Sequence, residues 1–247
     1  MIILDLDDTL IDHFSAEQCA ARLFGEEHAD RIPDYDHSGF VQRWHNVAEL
    51  HLAAFLRGEI DFREQRRRRI RTIFKSPKLR GDEADFLFGQ FLTQYQASWE
   101  VFPDVIEFLE RHHAYGLSVL SDGSQEQQEA KLTKTGIAHY FRFVVTSEST
   151  GLSKPNPRMF QYLCNLAGIN AGETSYIGDN MEKDAKGANN AGLRGVWLNR
   201  NAQPVPEGIE SILSLNDYLP KKERSSTLHP AYPFRPPGRS HVTGRLK

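Results

Sequence analysis

The stretch Met1-Ile2-Ile3-Leu4-Asp5-Leu6-Asp7-Asp8-Thr9-Leu10 sets an apolar run directly against three carboxylates. Such a run, bounded by polar residues, reads as a short buried strand whose acids gather at its carboxyl end. Two like unit charges about 4 Å apart repel by roughly 4 kcal/mol at an effective dielectric near 20. A cluster of this kind needs a cation to hold it. Hard Mg²⁺, which takes oxygen ligands, suits it best.

Three later segments repeat the pattern of a strand ending in polar residues, or place a cation near one. They are Val119-Leu120-Ser121-Asp122-Gly123, Ser153-Lys154-Pro155, and Tyr176-Ile177-Gly178-Asp179-Asn180 followed by Asp184. With Asp5-Leu6-Asp7-Asp8-Thr9-Leu10 in front of them, these four segments resemble, in order, the motifs of the haloacid dehalogenase superfamily. Most members of that superfamily are Mg²⁺-dependent phosphatases with an aspartate nucleophile. The resemblance implies that Asp5 is the nucleophile and forms an aspartyl-phosphate, and that Asp7 is the general acid and base. It implies Mg²⁺ held by a carboxylate oxygen of Asp5, the backbone carbonyl of Asp7, and Asp179. Lys154 then neutralises both phosphate and Asp5, while Ser121 and the backbone N–H groups after it, that of Asp122 among them, hold phosphate oxygens. Asp184 follows Asp179 at about one helical turn and is expected to orient the metal site from behind the ligands. Thr9 is expected to fix the loop that carries Asp7.

The rhythm on either side of these motifs sets the fold. From Leu10 to about Trp99 the pattern is helical, with Ser15 read as the cap of a helix over Ala16–Glu26. Further helices are expected over Phe40–Arg57, Phe62–Phe74 and Glu83–Trp99, with Gly58 and the Ser76–Gly81 turn as breaks. From Val101 onward helix and strand alternate: helices at Pro103–Ala114, Gln125–Lys134, Pro157–Ala167 and Glu182–Ala191, and strands at Leu117–Ser121, Phe143–Thr146, Thr174–Gly178 and Gly195–Leu198. That alternation predicts an α/β protein built on a doubly wound parallel sheet, with an all-helical cap inserted in it. Residues 1–11 and 100–219 are assigned to the core, 12–99 to the cap, and 220–247 to a disordered tail. Ligands of such sheets bind beyond the carboxyl ends of the strands, where Asp5, Ser121 and Asp179 all fall.

Composition narrows the function classes. A chain of 247 residues, 39% hydrophobic and 26% charged, is of the soluble globular kind. No apolar stretch approaches the roughly 20 residues that span a bilayer, and no basic-flanked leader precedes the first strand. Cys19 and Cys164 stand far apart without metal-ligand spacing, so they read as reduced thiols of a cytoplasmic protein. The formal net charge is −3, yet the last 28 residues are basic and rich in Pro, so the body carries the acidic excess. An acidic body argues against a nucleic-acid surface. The tail has no pattern that buries apolar area against its ordering entropy. The expected partner is a small phosphorylated metabolite, with neither nucleic acid nor membrane, and the expected state is a monomer or homodimer.

Other readings are separable by single residues. Dehalogenases of the superfamily keep the nucleophile but lack the second aspartate, because displacing halide needs no proton for the leaving group. Asp7 therefore favours phosphate. A phosphonate-cleaving enzyme needs a Schiff-base lysine in the insert, where only Lys75 and Lys78 occur, both in a turn. A non-catalytic binding protein would have no need of Asp5, Asp7, Ser121, Lys154 and Asp179 together. The run Arg66-Arg67-Arg68-Arg69-Ile70-Arg71 reads as a solvated helix face, since consecutive residues point around a helix, with one arginine facing the site. Leu56–Ile60 and Val196–Asn201 resemble the branch that holds pyrimidine 5′-nucleotidases and acylneuraminate-9-phosphatases. That tilts the expected substrate toward nucleoside 5′-monophosphates, with sugar phosphates next; Arg43, Trp44 and Arg66 are candidates for contact with the leaving group.

Overall fold

The computed structural model describes residues 1–220, so the expectation for the tail lies, from residue 221 on, outside the described residues. Six strands form one parallel sheet in the order β3-β2-β1-β4-β5-β6. They are β1 (Ile2–Leu4), β2 (Leu117–Ser121), β3 (Phe141–Thr146), β4 (Ser175–Gly178), β5 (Arg194–Leu198) and β6 (Glu210–Ile212). The first, second and fourth strands are buried throughout, which is why they read as unbroken apolar runs rather than alternating ones. β6 was not foreseen: its three residues are half exposed at the sheet edge and carry no apolar pattern. β3 starts two residues earlier than expected, at Phe141.

The order reverses between β1 and β4, which are hydrogen-bonded neighbours. Chain leaving β1 turns one way across the sheet and chain leaving β4 turns the other, so a crevice opens at their carboxyl ends. Asp5 and Asp179 are the residues that follow those two strands, and the Asp5 N–H still bonds the Ile177 carbonyl at 2.9 Å. Helices α5 (Val105–His112) and α6 (Gln125–Lys134), the short α7 (Ser147–Thr150), α8 (Pro157–Ala167) and α9 (Gly187–Asn190) serve the sheet. α8 has Pro157 at its first turn and ends on Gly168 with φ +66°, a left-handed conformation that costs glycine little.

Between β1 and β2 the chain forms four helices: α1 (His13–Glu27), α2 (Phe40–Leu56), α3 (Phe62–Ile73) and α4 (Gly81–Ala97). The N-cap of α1 is Asp12, whose side chain accepts from the Ser15 N–H, so the helix starts three residues before the sequence placed it. Asp12 outranks Ser15 because its carboxylate accepts the Ser15 N–H at 3.0 Å, which places Ser15 inside the first turn. The four helices share their own core, with Phe24, Phe40, Trp44, Ile70, Ile73, Leu87 and Phe91 among its buried residues. Trp44 sits inside that core, and the Arg43 guanidinium is spent on the carbonyls of Pro33 and Ile73. Neither is available to a leaving group.

Candidate active site

Three carboxylates converge beyond β1 and β4. Oxygen atoms of Asp5, Asp179 and Asp184 all lie within 4.8 Å of one another. Asp5 and Asp184 are buried and Asp179 is half-buried. Each is held by a different element. Asp5 is fixed by the strand ladder. The Asp179 N–H donates to Thr9 Oγ1 at 3.0 Å, and the Trp197 indole N–H donates to the Asp179 carbonyl at 2.8 Å. Thr9 thus ties the first loop to the loop after β4.

Asp184 is placed by an unusual turn. Met181–Lys186 winds as a π-helix rather than the ordinary helix expected there. Its wider turn swings Asp184 inward, where Oδ2 accepts from the Asn180 N–H at 2.9 Å and Oδ1 from Lys154 Nζ at 2.7 Å. The Asp184 carboxylate therefore lies in the cluster itself.

Lys154 is the cation among these acids. Nζ stands 2.8 Å from Asp5 Oδ1 and also donates to the Tyr176 hydroxyl at 3.1 Å. Beyond that ion pair, Asp5 Oδ1 is buried with no hydrogen-bond donor among the described residues. The electrostatics show one lysine to be too little. Burial, with Asp184 and Asp7 adding to it against Lys154, pushes Asp5 up to about 7. Burial, then Asp5, Asp184 and Asp8, pushes Asp179 up to about 8. Burial alone would push Lys154 down, but Asp184 and Asp5 hold it well above its usual range.

Three oxygen donors, an orphaned buried carboxylate oxygen and two carboxyls held protonated near neutrality fit a small hard divalent cation. Mg²⁺ matches that donor set. Asp5, Asp179 and Asp184 are the side chains able to hold it.

Ser121 ends β2, buried, with Oγ accepting from Gln128 Nε2 at 3.0 Å. Asp122 accepts the Lys154 N–H on Oδ1 at 3.1 Å, so its side chain supports the lysine loop; its Oδ2 is buried without a partner. Asp7 stands apart from the acid cluster. Its Oδ2 accepts from Gln128 Nε2 at 3.0 Å and its Oδ1 pairs with Lys131 Nζ at 2.5 Å. Burial opposes ionisation there, but Lys131, His13 and Gln128 overcome it and bring Asp7 down to about 2.

Lys131 and Gln128 escaped the sequence reading. Both lie on α6, three residues apart on one face, and both are fully buried. A lysine in a polar helix ordinarily reads as solvent-facing. The one signal was that α6 starts directly after Ser121-Asp122-Gly123-Ser124, so its inner face has to meet the Asp7 loop. Lys131 also lies near the rings of Tyr95 and Trp99 of the helical insert, which close over it.

Comparison with known proteins agrees with this architecture. The family model of haloacid dehalogenase-like hydrolases matches residues 1–192. Phosphoserine phosphatase of Thermus thermophilus is 27% identical, covering 88% of this chain and 95% of that protein. Pyrimidine 5′-nucleotidase YjjG of Escherichia coli is 36% identical over a shorter stretch, 38% of this chain and 42% of that protein. Among solved structures, the putative HAD-hydrolase YfnB of Bacillus subtilis bound to magnesium superposes with a TM-score of 0.69 at 23% identity, over 87% of this chain and 94% of that one. The 2-haloacid dehalogenase of Pseudomonas syringae does so with a TM-score of 0.66 at 24% identity, over the same shares. With the motifs in order, the switch-point crevice and a match across most of its length, the chain belongs to the haloacid dehalogenase-like hydrolases.

Proposed function

We propose that the protein is a Mg²⁺-dependent phosphomonoesterase acting on small phosphorylated metabolites through an aspartyl-phosphate on Asp5. The observation that carries this reading is the pairing of Asp5 with Lys154 beside Asp179 and Asp184, with Asp7 held separately two residues on. A nucleophile needs a neighbouring cation to accept an anionic substrate, and Lys154 supplies one at 2.8 Å. Mg²⁺ bound by Asp5, Asp179 and Asp184 would supply charge neutralisation on the transferring oxygens.

In this reading an Asp5 oxygen attacks phosphorus in line as the ester P–O bond breaks. Asp7, held as a carboxylate by Lys131, takes up the proton that the monoanion of the ester brings into the site and passes it to the leaving alkoxide. Water then attacks the acyl-phosphate, Asp7 takes a proton from it, and Asp5 is regenerated with release of phosphate. Ser121 and the Asp122 N–H hold phosphate oxygens, the Gly123 N–H being spent on Ser147 Oγ at 2.8 Å. The four-helix insert, residues 12–99, acts as the cap over the crevice, bounding a pocket for small esters. Relatives named as phosphatases support the ester chemistry, and magnesium in the YfnB structure supports the metal.

Asp5→Asn is expected to abolish phosphate release from a metabolite panel while melting stays cooperative, and chelation is expected to stop the wild type until Mg²⁺ is restored. Residual turnover in a contamination-free Asp5→Asn preparation rules out the nucleophile. The solved dehalogenase neighbours make halide the second reading. Asp7 tells against it, and fluoride or chloride release from 2-haloacids at rates matching phosphate release would reverse the choice.

A further inference from the structure

Two features singled out in the sequence have partners within the protein itself. Arg66 of the α3 run is spent on Gln127 Oε1 of α6 at 2.7 Å. Trp197 and Arg200, at the end of β5 and just past it, both reach loops that carry the acid cluster. The Trp197 indole holds the Asp179 carbonyl, and Arg200 Nη2 donates to the Thr9 carbonyl at 2.8 Å. Thr9 is fully buried, so its carbonyl has no water to turn to and depends on a donor from the protein.

The guanidinium is rigidly held for that task. It grips Asp104 through both Nη atoms, at 2.9 and 3.0 Å, and lies over the Phe102 ring at 4.0 Å from its centre. Asp104 is fixed in turn by the Ser214 hydroxyl and the Leu215 N–H, each donating to Oδ2 at 2.8 Å. What Arg200 steadies is the tie between the two acid-bearing loops. The Thr9 hydroxyl accepts the Asp179 N–H at 3.0 Å and donates to Asp179 Oδ1 at 3.4 Å. Leu10, the next residue, accepts the Phe102 N–H on its carbonyl at 3.0 Å. Thr9 and Phe102 thus stand at the roots of the two segments that lead into and out of the helical insert, and Arg200 touches both.

We infer that Arg200 is a positioning residue of the metal site: by holding the Thr9 carbonyl against Asp104 it fixes the Thr9 hydroxyl, and through it the Asp179 carboxylate, where Mg²⁺ is bound. The inference rests on the metal site formed by Asp5, Asp179 and Asp184, and its kinetic part rests on the phosphomonoesterase reading. Arg200 acts through Thr9 and not on the reacting atoms. Trp197 and Arg200 therefore serve the loops, whatever the leaving group.

The test is Mg²⁺ affinity of the full chain by titration calorimetry, with kcat and KM for p-nitrophenyl phosphate at saturating Mg²⁺. Arg200→Gln is expected to raise the Mg²⁺ dissociation constant and lower kcat, each by about 10–100-fold, with KM within about threefold. Arg200→Lys keeps the charge but not the planar two-point grip, so it should recover part of both losses. If Arg200→Gln does not melt cooperatively, Arg200→Lys carries the test, with a loss of about threefold or more in affinity expected. Ser214→Ala loosens Asp104 from the other side and leaves Arg200 on Thr9. It should lower the melting temperature yet keep wild-type metal affinity and kcat. Thr9→Val should also weaken Mg²⁺ binding, and combining it with Arg200→Gln should add little, since both cut the same link. Wild-type affinity in the Arg200 variants, an equal loss in Ser214→Ala, or losses that multiply in the double variant overturn the inference and leave the phosphomonoesterase reading standing. A wild type that binds Mg²⁺ but turns over no ester of a metabolite panel overturns that reading, while calorimetry still decides this one. A wild type that binds no Mg²⁺ overturns both.

Discussion

At the scale of single residues, the contrast between Asp5 and Asp7 is the most consequential. Two aspartates two positions apart, Asp5 buried and Asp7 half-buried, are driven to opposite sides of the ordinary carboxylate value of 3.8, Asp5 by burial and Asp7 by its cationic partners. Asp5 shares Lys154 with Asp184 and is pushed up to about 7, whereas Asp7 has Lys131 to itself and is brought down to about 2. Gln128 bonds both Asp7 and Ser121 through the same Nε2, so α6 holds the acid–base carboxylate against the phosphate-binding end of β2. Lys131→Met, close in length but uncharged, should free that carboxylate to wander. The expected result is a fall in kcat of about 10–100-fold with KM little changed, as for other groups that orient a reacting residue. Loss of the charge-assisted bond should also cost roughly 1.5–3 kcal/mol of stability in urea unfolding. An unchanged kcat would show that Lys131 is only structural.

At the scale of elements, the site depends on how closely the Met181–Lys186 turn approaches the sheet. Gly195, on β5, faces the carbonyl of Ala185: a Cβ there would lie 2.0 Å from that oxygen. A Cβ on Gly178 would lie 2.3 Å from Asp184 Oδ2. The first obstacle is backbone and cannot swing aside; the second includes Asp184 Cβ, 2.7 Å away, so the turn that carries Asp184 must shift along with its carboxylate. Gly195→Ala is accordingly expected to destabilise the fold by about 3 kcal/mol, the upper end of ordinary overpacking. Gly178→Ala is also expected to destabilise the fold, and to displace Asp184 from Lys154 and Asn180, weakening Mg²⁺ binding. Melting curves paired with Mg²⁺ titrations check both. A Gly178→Ala protein with wild-type metal affinity would show that Asp184 has no part in holding the ion.

For the whole molecule, the acid cluster makes stability a function of pH and metal together. Asp5 and Asp179 titrate near 3.8 when unfolded but near 7 and 8 when folded. Between those values the folded chain keeps protons that the unfolded chain has lost, so the stabilisation present at low pH disappears as pH rises through 7 to 8. Asp7 works in the opposite sense, but its contribution is lost only as pH falls from about 4 toward 2, outside this window. Chelator-treated protein should melt at progressively lower temperature from about pH 5.5 to about pH 8.5. Mg²⁺ at a hundredfold excess over its Kd adds about 2.7 kcal/mol, or roughly 5–10 °C for a chain of this size, and the gain should be largest at the alkaline end, where fewer protons compete. A melting temperature that is flat with pH and indifferent to Mg²⁺ would contradict the reading of the cluster as a metal site.

The sequence by itself determined the parallel α/β sheet and the residues that gather at its carboxyl edge. Buried parallel strands must be continuously apolar, so Ile2–Leu4, Leu117–Ser121 and Ser175–Gly178 announce themselves, and the polar residues that end them mark the crevice. Edge strand β6 was illegible because a half-exposed strand of three residues needs no pattern, and Asp12 was passed over as a cap because Ser15 offered the same chemistry nearby. Only the tertiary structure decided how the charges are shared. That Lys131 turns inward to Asp7 and that Asp184 reaches Lys154 through a π turn depend on which helix face meets which neighbour. Charge carries no periodicity that tells a solvated lysine or arginine from a buried one. The difference arises only when distant segments pack and remove water from one of them.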